Sequence, residues 1–122
     1  MKPLLIIGIG GAFGSMCRYL AQVYISNYTT LTFPVGTLVV NLTGCFLIGI
    51  LFGLSSKYAW MTMEWRLFWI TGICGGYTTF SSFSLDSINL LRQGNYTYFF
   101  VYVLGSVIAG LLLTVAGASL VR

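Results

Sequence analysis

The 122-residue sequence predicts an all-α membrane protein with four transmembrane helices, the third broken mid-membrane, on three observations. First, 57% of its residues are hydrophobic and only 7% are charged, with a mean hydropathy of +0.91, where a soluble domain carries about a quarter charged residues. Second, four apolar stretches reach the roughly 20 residues that a helix needs to cross a bilayer core of about 30 Å. Third, residues 72–84 place paired glycines, two threonines, three serines and two phenylalanines inside one of those stretches. A polar break at membrane depth survives only where protein buries it or a wet cavity meets it, so residues 72–84 are the candidate permeation site.

The first span is predicted over residues 4–25. Small residues repeat at four-residue spacing, Gly8 with Ala12, Gly10 with Gly14 and Gly11 with Ser15, which permits close helix contact. The start, Met1-Lys2-Pro3 and an apolar run, resembles a signal peptide. The run nevertheless passes Cys17, and Met16 stands where cleavage wants a small residue, so a retained helix is expected. Arg18 has two readings: a cation snorkelling to the headgroups, or one drawing anions towards a vestibule.

A polar loop over residues 26–32 leads to Phe33-Pro34, and proline suits a loop end or a first helical turn. The second span is predicted over 35–54, with Thr37, Asn41 and Gly44 on one face and Gly49 with Gly53 forming another small-residue seam. Asn41 is either interhelical glue, worth about 0.6 to 2 kcal/mol, or part of a polar path. The connection over 55–64, with Lys57, Tyr58, Trp60 and Glu64, has the composition of a membrane interface.

The third segment is predicted over 65–92 with a break near 75–79, where Gly75-Gly76 is expected to free the backbone and Thr78 or Thr79 to cap the second half-helix. The positive end of that half-helix then points into the membrane. Asp86 reads as an interfacial carboxylate. After the turn Gln93-Gly94-Asn95, the fourth span covers 96–121, and Tyr102, Ser106, Gly110 and Thr114 recur every four residues as a stripe of three hydroxyls with one gap.

What is missing excludes whole classes. The chain has no histidine and two carboxylates, so acid/base, triad and metal-dependent catalysis lack their ingredients and no enzyme is expected. The net charge of +4 is spread thinly, which gives nucleic-acid binding no support. Cys17, Cys45 and Cys74 lie in apolar segments without close spacing and read as small packing residues. In a four-span plan Lys2, Lys57, Arg66 and Arg122 fall on one side, Arg18 and Arg92 on the other, a weak bias for fixing orientation. Gly8-Ile9-Gly10-Gly11 echoes residues 72–76 too briefly to establish duplication.

If the broken segment, Asn41 and the stripe face one another, possible donors prevail: the Asn41 amide, the hydroxyls of Thr78, Thr79, Ser81, Tyr102, Ser106 and Thr114, and freed backbone N–H groups. Donors suit a small anion. Phe80 and Phe83 can offer positive ring edges to it or simply pack as core. Carbonyls turned out at the same break suit a cation, and composition alone does not choose between them.

The residues Gly10-Gly11-Ala12 through Gly14 to Arg18-Tyr19, then Phe33-Pro34-Val35-Gly36-Thr37-Leu38 to Asn41 with Gly44, then 72–84, resemble the Fluc family of small fluoride channels over nearly the whole chain. The resemblance implies an antiparallel, dual-topology homodimer with two fluoride pathways and a structural sodium ion at its centre. It assigns sodium to the backbone carbonyls of Gly75 and Thr78, and fluoride contacts to Phe80 and Phe83. Asn41 and Ser81 add polar contacts, Tyr102, Ser106 and Thr114 form the hydroxyl track, and Arg18 lies towards a vestibule. Passive export of cytoplasmic fluoride through a bacterial inner membrane, conferring fluoride resistance, is the implied physiology. Two departures stand out: Ser82 replaces a common threonine, and Gly110 interrupts the track. The competing functions are a small proton-coupled exporter, for which Asp86 is the carboxylate candidate, and a membrane assembly subunit that does not transport.

Overall fold

The computed structural model describes residues 1–30 and 32–121; the side expected for Arg122 lies outside them, as does Leu31 of the first loop. Among the described residues the chain is helix and turn without a strand. Helix α1 runs Lys2–Tyr28, α2 Val35–Lys57. Helix α3 is continuous through Met63–Arg66, Leu67–Cys74 and Gly75–Tyr77; α4 is Phe80–Arg92 and α5 Tyr96–Leu120. Both α1 and α2 extend three residues beyond the predicted spans, since neither meets a breaker at its predicted end.

Helices α1, α2 and α5 are each long and apolar enough to cross a membrane. Their outer faces are apolar too: Leu4, Leu5 and Ile9 on α1 and Leu111, Leu112 and Val115 on α5 are all more than half exposed. That surface aggregates in water and is at home in lipid, and the chain is a membrane protein.

Packing proceeds in two pairs, α1 on α3 and α2 on α5. Each crossing is lined with glycine, which lets backbones touch where lipid leaves van der Waals packing as the main attraction. A Cβ at Gly10 would lie 3.1 Å from Gly72 Cα, and one at Gly14 would collide with the Ile73 carbonyl. On the other pair, a Cβ at Gly49 would collide with the Thr114 carbonyl and one at Gly117 with that of Phe46. Between the pairs a small core gathers Leu51, Met61 and Cys74 with Leu47, Ile48 and Trp69.

Helix ends follow local chemistry. Pro3 sits in the first turn of α1, where its missing N–H costs nothing. Helix α4 closes in a Schellman motif: Asn95 N–H reaches the Leu90 carbonyl and Gly94 N–H that of Leu91, both at 3.0 Å. Gly94 takes the left-handed φ of 73° that this motif requires, and Asn95 Oδ1 then caps α5 through Tyr98 N–H. Lys2 and Glu64 pair at 3.3 Å at one end of the bundle, exposed and so worth little.

Candidate functional site: the break between α3 and α4

The middle of α3, Leu67–Cys74, is wound as a π-helix, with Gly75 N–H reaching back to the Ile70 carbonyl. Such widened turns are rare and gather at functional sites. The break expected over 75–79 is confined to Thr78 and Thr79, whose backbones are extended (φ −80°, ψ 157° and φ −148°, ψ 114°). Gly75 and Gly76 remain helical. Gly76 is there for close approach: a Cβ on it would lie 2.5 Å from the Gly11 carbonyl.

Side chains hold the break in place. Thr79 N–H donates to Asn41 Oδ1 at 2.8 Å, and Asn41 Nδ2 donates to the Thr79 carbonyl at 3.0 Å, so one carboxamide on α2 satisfies both backbone groups of Thr79. Thr79 Oγ1 caps α4 by accepting from Ser82 N–H at 3.1 Å. On the α3 side, the Cys74 carbonyl accepts from Thr78 N–H and Thr78 Oγ1. Arg18 Nε donates to the Gly76 carbonyl at 3.2 Å, bringing a cation to the negative end of α3.

Two sets of backbone groups keep no partner among the described residues. The carbonyls of Gly75 and Thr78 receive no donor, and the N–H groups of Phe80 and Ser81 reach no acceptor. These are the orphan groups of a helix C-terminus and a helix N-terminus brought face to face. The first set suits a cation and the second an anion.

A cleft of about 430 Å³ opens on the break. Of the predicted site residues, Asn41, Gly75, Thr78, Phe80, Phe83 and Ser106 line it, while Arg18, Ser81, Tyr102 and Thr114 do not. Phe80 stands 80% exposed beside it, its ring 5.6 Å from that of Phe83. Phe83 in turn lies 5.2 Å from Tyr102, which meets Phe33 edge-on at 5.5 Å. Ser81 is exposed, with its hydroxyl 3.3 Å from Thr79 Oγ1.

The stripe on α5 is not uniform. Tyr102 is fully buried and its hydroxyl donates to Asp86 Oδ2 at 3.3 Å. Thr114 turns to α2 and commits its proton to the carbonyls of Cys45 and Gly110. Ser106 Oγ is buried and has no partner among the described residues. Sequence reasoning also passed over Gln22, whose Nε2 donates to Thr37 Oγ1 at 3.3 Å and ties α1 to α2; an amide in an apolar span was the available signal.

Residues 5–118 match the family model described as CrcB-like protein, Camphor Resistance (CrcB). The chain is similar to the Fluoride-specific ion channel FluC of Azobacteroides pseudotrichonymphae, 46% identical over 110 residues that cover 90% of this chain and 88% of the relative. The protein of the same name from Rhizobium meliloti is 44% identical over 122 residues, 100% of this chain and 98% of the relative. That from Leptospira interrogans serovar copenhageni is 39% identical over 121 residues, 99% and 95%. These relatives are named as ion channels. The chain therefore belongs to the CrcB-like family of membrane ion channels.

Proposed function

We propose that this chain is a passive, fluoride-selective channel that exports cytoplasmic fluoride across a bacterial inner membrane and so confers fluoride resistance. The observation that carries the reading is the pinned break, with unpaired amides of Phe80 and Ser81 at a helix N-terminus, in a chain related over its length to proteins named fluoride-specific ion channels. Helices α3 and α4 together make the third of four spans, and the dipole of α4 favours an anion at its start. Ring edges of Phe80 and Phe83, the second N–H of the Asn41 amide and the hydroxyls of Ser81 and Ser106 supply the rest of each pathway, flanked by Tyr102, whose proton is held by Asp86, and Thr114, whose proton is held by α2 and its own helix. Arg18 raises the anion concentration in a vestibule near the break.

The working unit is an antiparallel homodimer with two such pathways. A cleft of about 430 Å³, beside a Phe80 ring that is 80% exposed, leaves one side of the path open in a single chain. A second copy narrows the cleft and covers Phe80. The unpaired carbonyls of Gly75 and Thr78 fit a hard cation, which takes oxygen ligands, and they would hold a structural sodium ion at the dimer centre. Bound there, sodium supplies positive charge that locks two copies together.

Liposomes loaded with fluoride test the reading: purified protein should release fluoride and hold back chloride with no imposed proton gradient. No passive release overturns it. A proton-coupled exporter needs Asp86, which is engaged with Tyr102 and does not line the cleft. Asp86→Asn would then abolish transport, whereas the passive channel still conducts.

A further inference from the structure

The stripe on α5 loses its hydroxyl at Gly110, and the neighbouring helix fills that place. A Cβ added at Gly110 would lie 3.2 Å from Cys45 Sγ and within 4 Å of no other described residue outside its own helix. The thiol on α2 thus stands in tight contact with the place that a side chain at 110 would take. Register is set by the backbone: Thr114 Oγ1 donates to the Cys45 carbonyl at 3.2 Å. Cys45 also lines the cleft together with Asn41, Thr79, Phe80 and Ser106. One turn along, Ser106 Oγ is buried without a partner, a costly state for a hydroxyl that nothing visits.

We infer that Cys45 contacts the permeating anion, its S–H replacing from α2 the donor that α5 lacks at Gly110, so that the row of donors runs from Ser106 to Cys45. The inference rests on the fluoride reading above. A thiol is a weak donor. Weakness suits the middle of a path, where a site must hold an ion and also release it. A cysteine that merely packs would sit in the same gap, and the two roles separate when the donor is moved between helices.

The test measures fluoride efflux from liposomes for the wild type and three variants whose dimers are checked by cross-linking. Loss of one weak thiol donor should place Cys45→Ala about three- to tenfold below the wild type. Cys45→Ala with Gly110→Ser returns a donor from α5 and should recover most of the lost flux. Cys45→Ala with Gly110→Ala refills the volume without a donor and should stay low. Wild-type flux in Cys45→Ala, or no advantage of the serine over the alanine double variant, overturns the role of Cys45. A second readout leaves the volume at position 45 nearly unchanged: in a Cys17→Ser/Cys74→Ala background that still assembles, Ag⁺ should block efflux, and adding Cys45→Ser should abolish the block. Efflux indifferent to Ag⁺ in that background also overturns the inference. A wild-type protein that passes no fluoride overturns instead the reading on which it rests.

Discussion

Replacing Asn41 with leucine keeps the bulk of the side chain and removes both hydrogen bonds that α2 makes to the break. Thr79 is buried, 8% exposed, and its extended backbone has no helical partner to fall back on. Asn41→Leu therefore strands one N–H, now bonded at 2.8 Å, and one carbonyl, now bonded at 3.0 Å. A buried group without a partner costs about 1–3 kcal/mol. Water entering the adjacent cleft relieves part of this, which puts the loss at about 2–3 kcal/mol for the two groups. Unfolding of the purified protein in detergent should show that loss, and fluoride efflux should fall with it, because the start of α4 is no longer held. Asn41→Asp keeps only the bond from Thr79 N–H, sets a carboxylate oxygen against the Thr79 carbonyl, and should lower both stability and flux. An Asn41→Leu protein with unchanged stability and flux would refute the clamp.

Three other outcomes are expected. Phe80→Leu and Phe83→Leu should each cut fluoride flux by about tenfold, or about 1.4 kcal/mol of barrier, with the dimer intact; unchanged flux would reduce both rings to packing. Prolonged exchange of sodium for a large organic cation should impair flux or dissociate the dimer, and indifference would reject the Gly75 and Thr78 carbonyls as its ligands. Gly14→Val drives a side chain into the Ile73 carbonyl and should cost about 3 kcal/mol, while Gly8→Val, with nothing within 4 Å, should cost under about 0.5 kcal/mol. Equal thermal stability of those two variants would contradict the α1–α3 crossing.

Much of the helical layout was legible because apolar length and small-residue spacing are local signals. The seams at Gly10 with Gly14 and at Gly49 with Gly53 do carry close crossings, and Thr79 does cap the second half of the broken segment. The break itself was centred on Gly75-Gly76, since glycine marks both a flexible backbone and a close contact. Which use applies at Gly76 depends on Gly11, some 65 positions away in sequence, and no local pattern reports that. The π-wound stretch over Leu67–Cys74 has no composition of its own to announce it. Pairings across helices, such as Asn41 with the Thr79 backbone, Tyr102 with Asp86 and Cys45 with the Gly110 gap, follow from how each helix is rotated. Regular spacing groups residues on one face without saying what that face meets. Thr114 shows the consequence, being in register with Ser106 yet spending its proton on α2.

The most direct test of anion conduction at the Thr78–Thr79 break is the reversal potential of purified protein in a planar bilayer under a tenfold fluoride gradient, with chloride and pH then varied. A passive fluoride channel reverses near the fluoride equilibrium value, about 59 mV in magnitude, and stays there when chloride or proton gradients are imposed. A reversal potential that follows protons or chloride would contradict it.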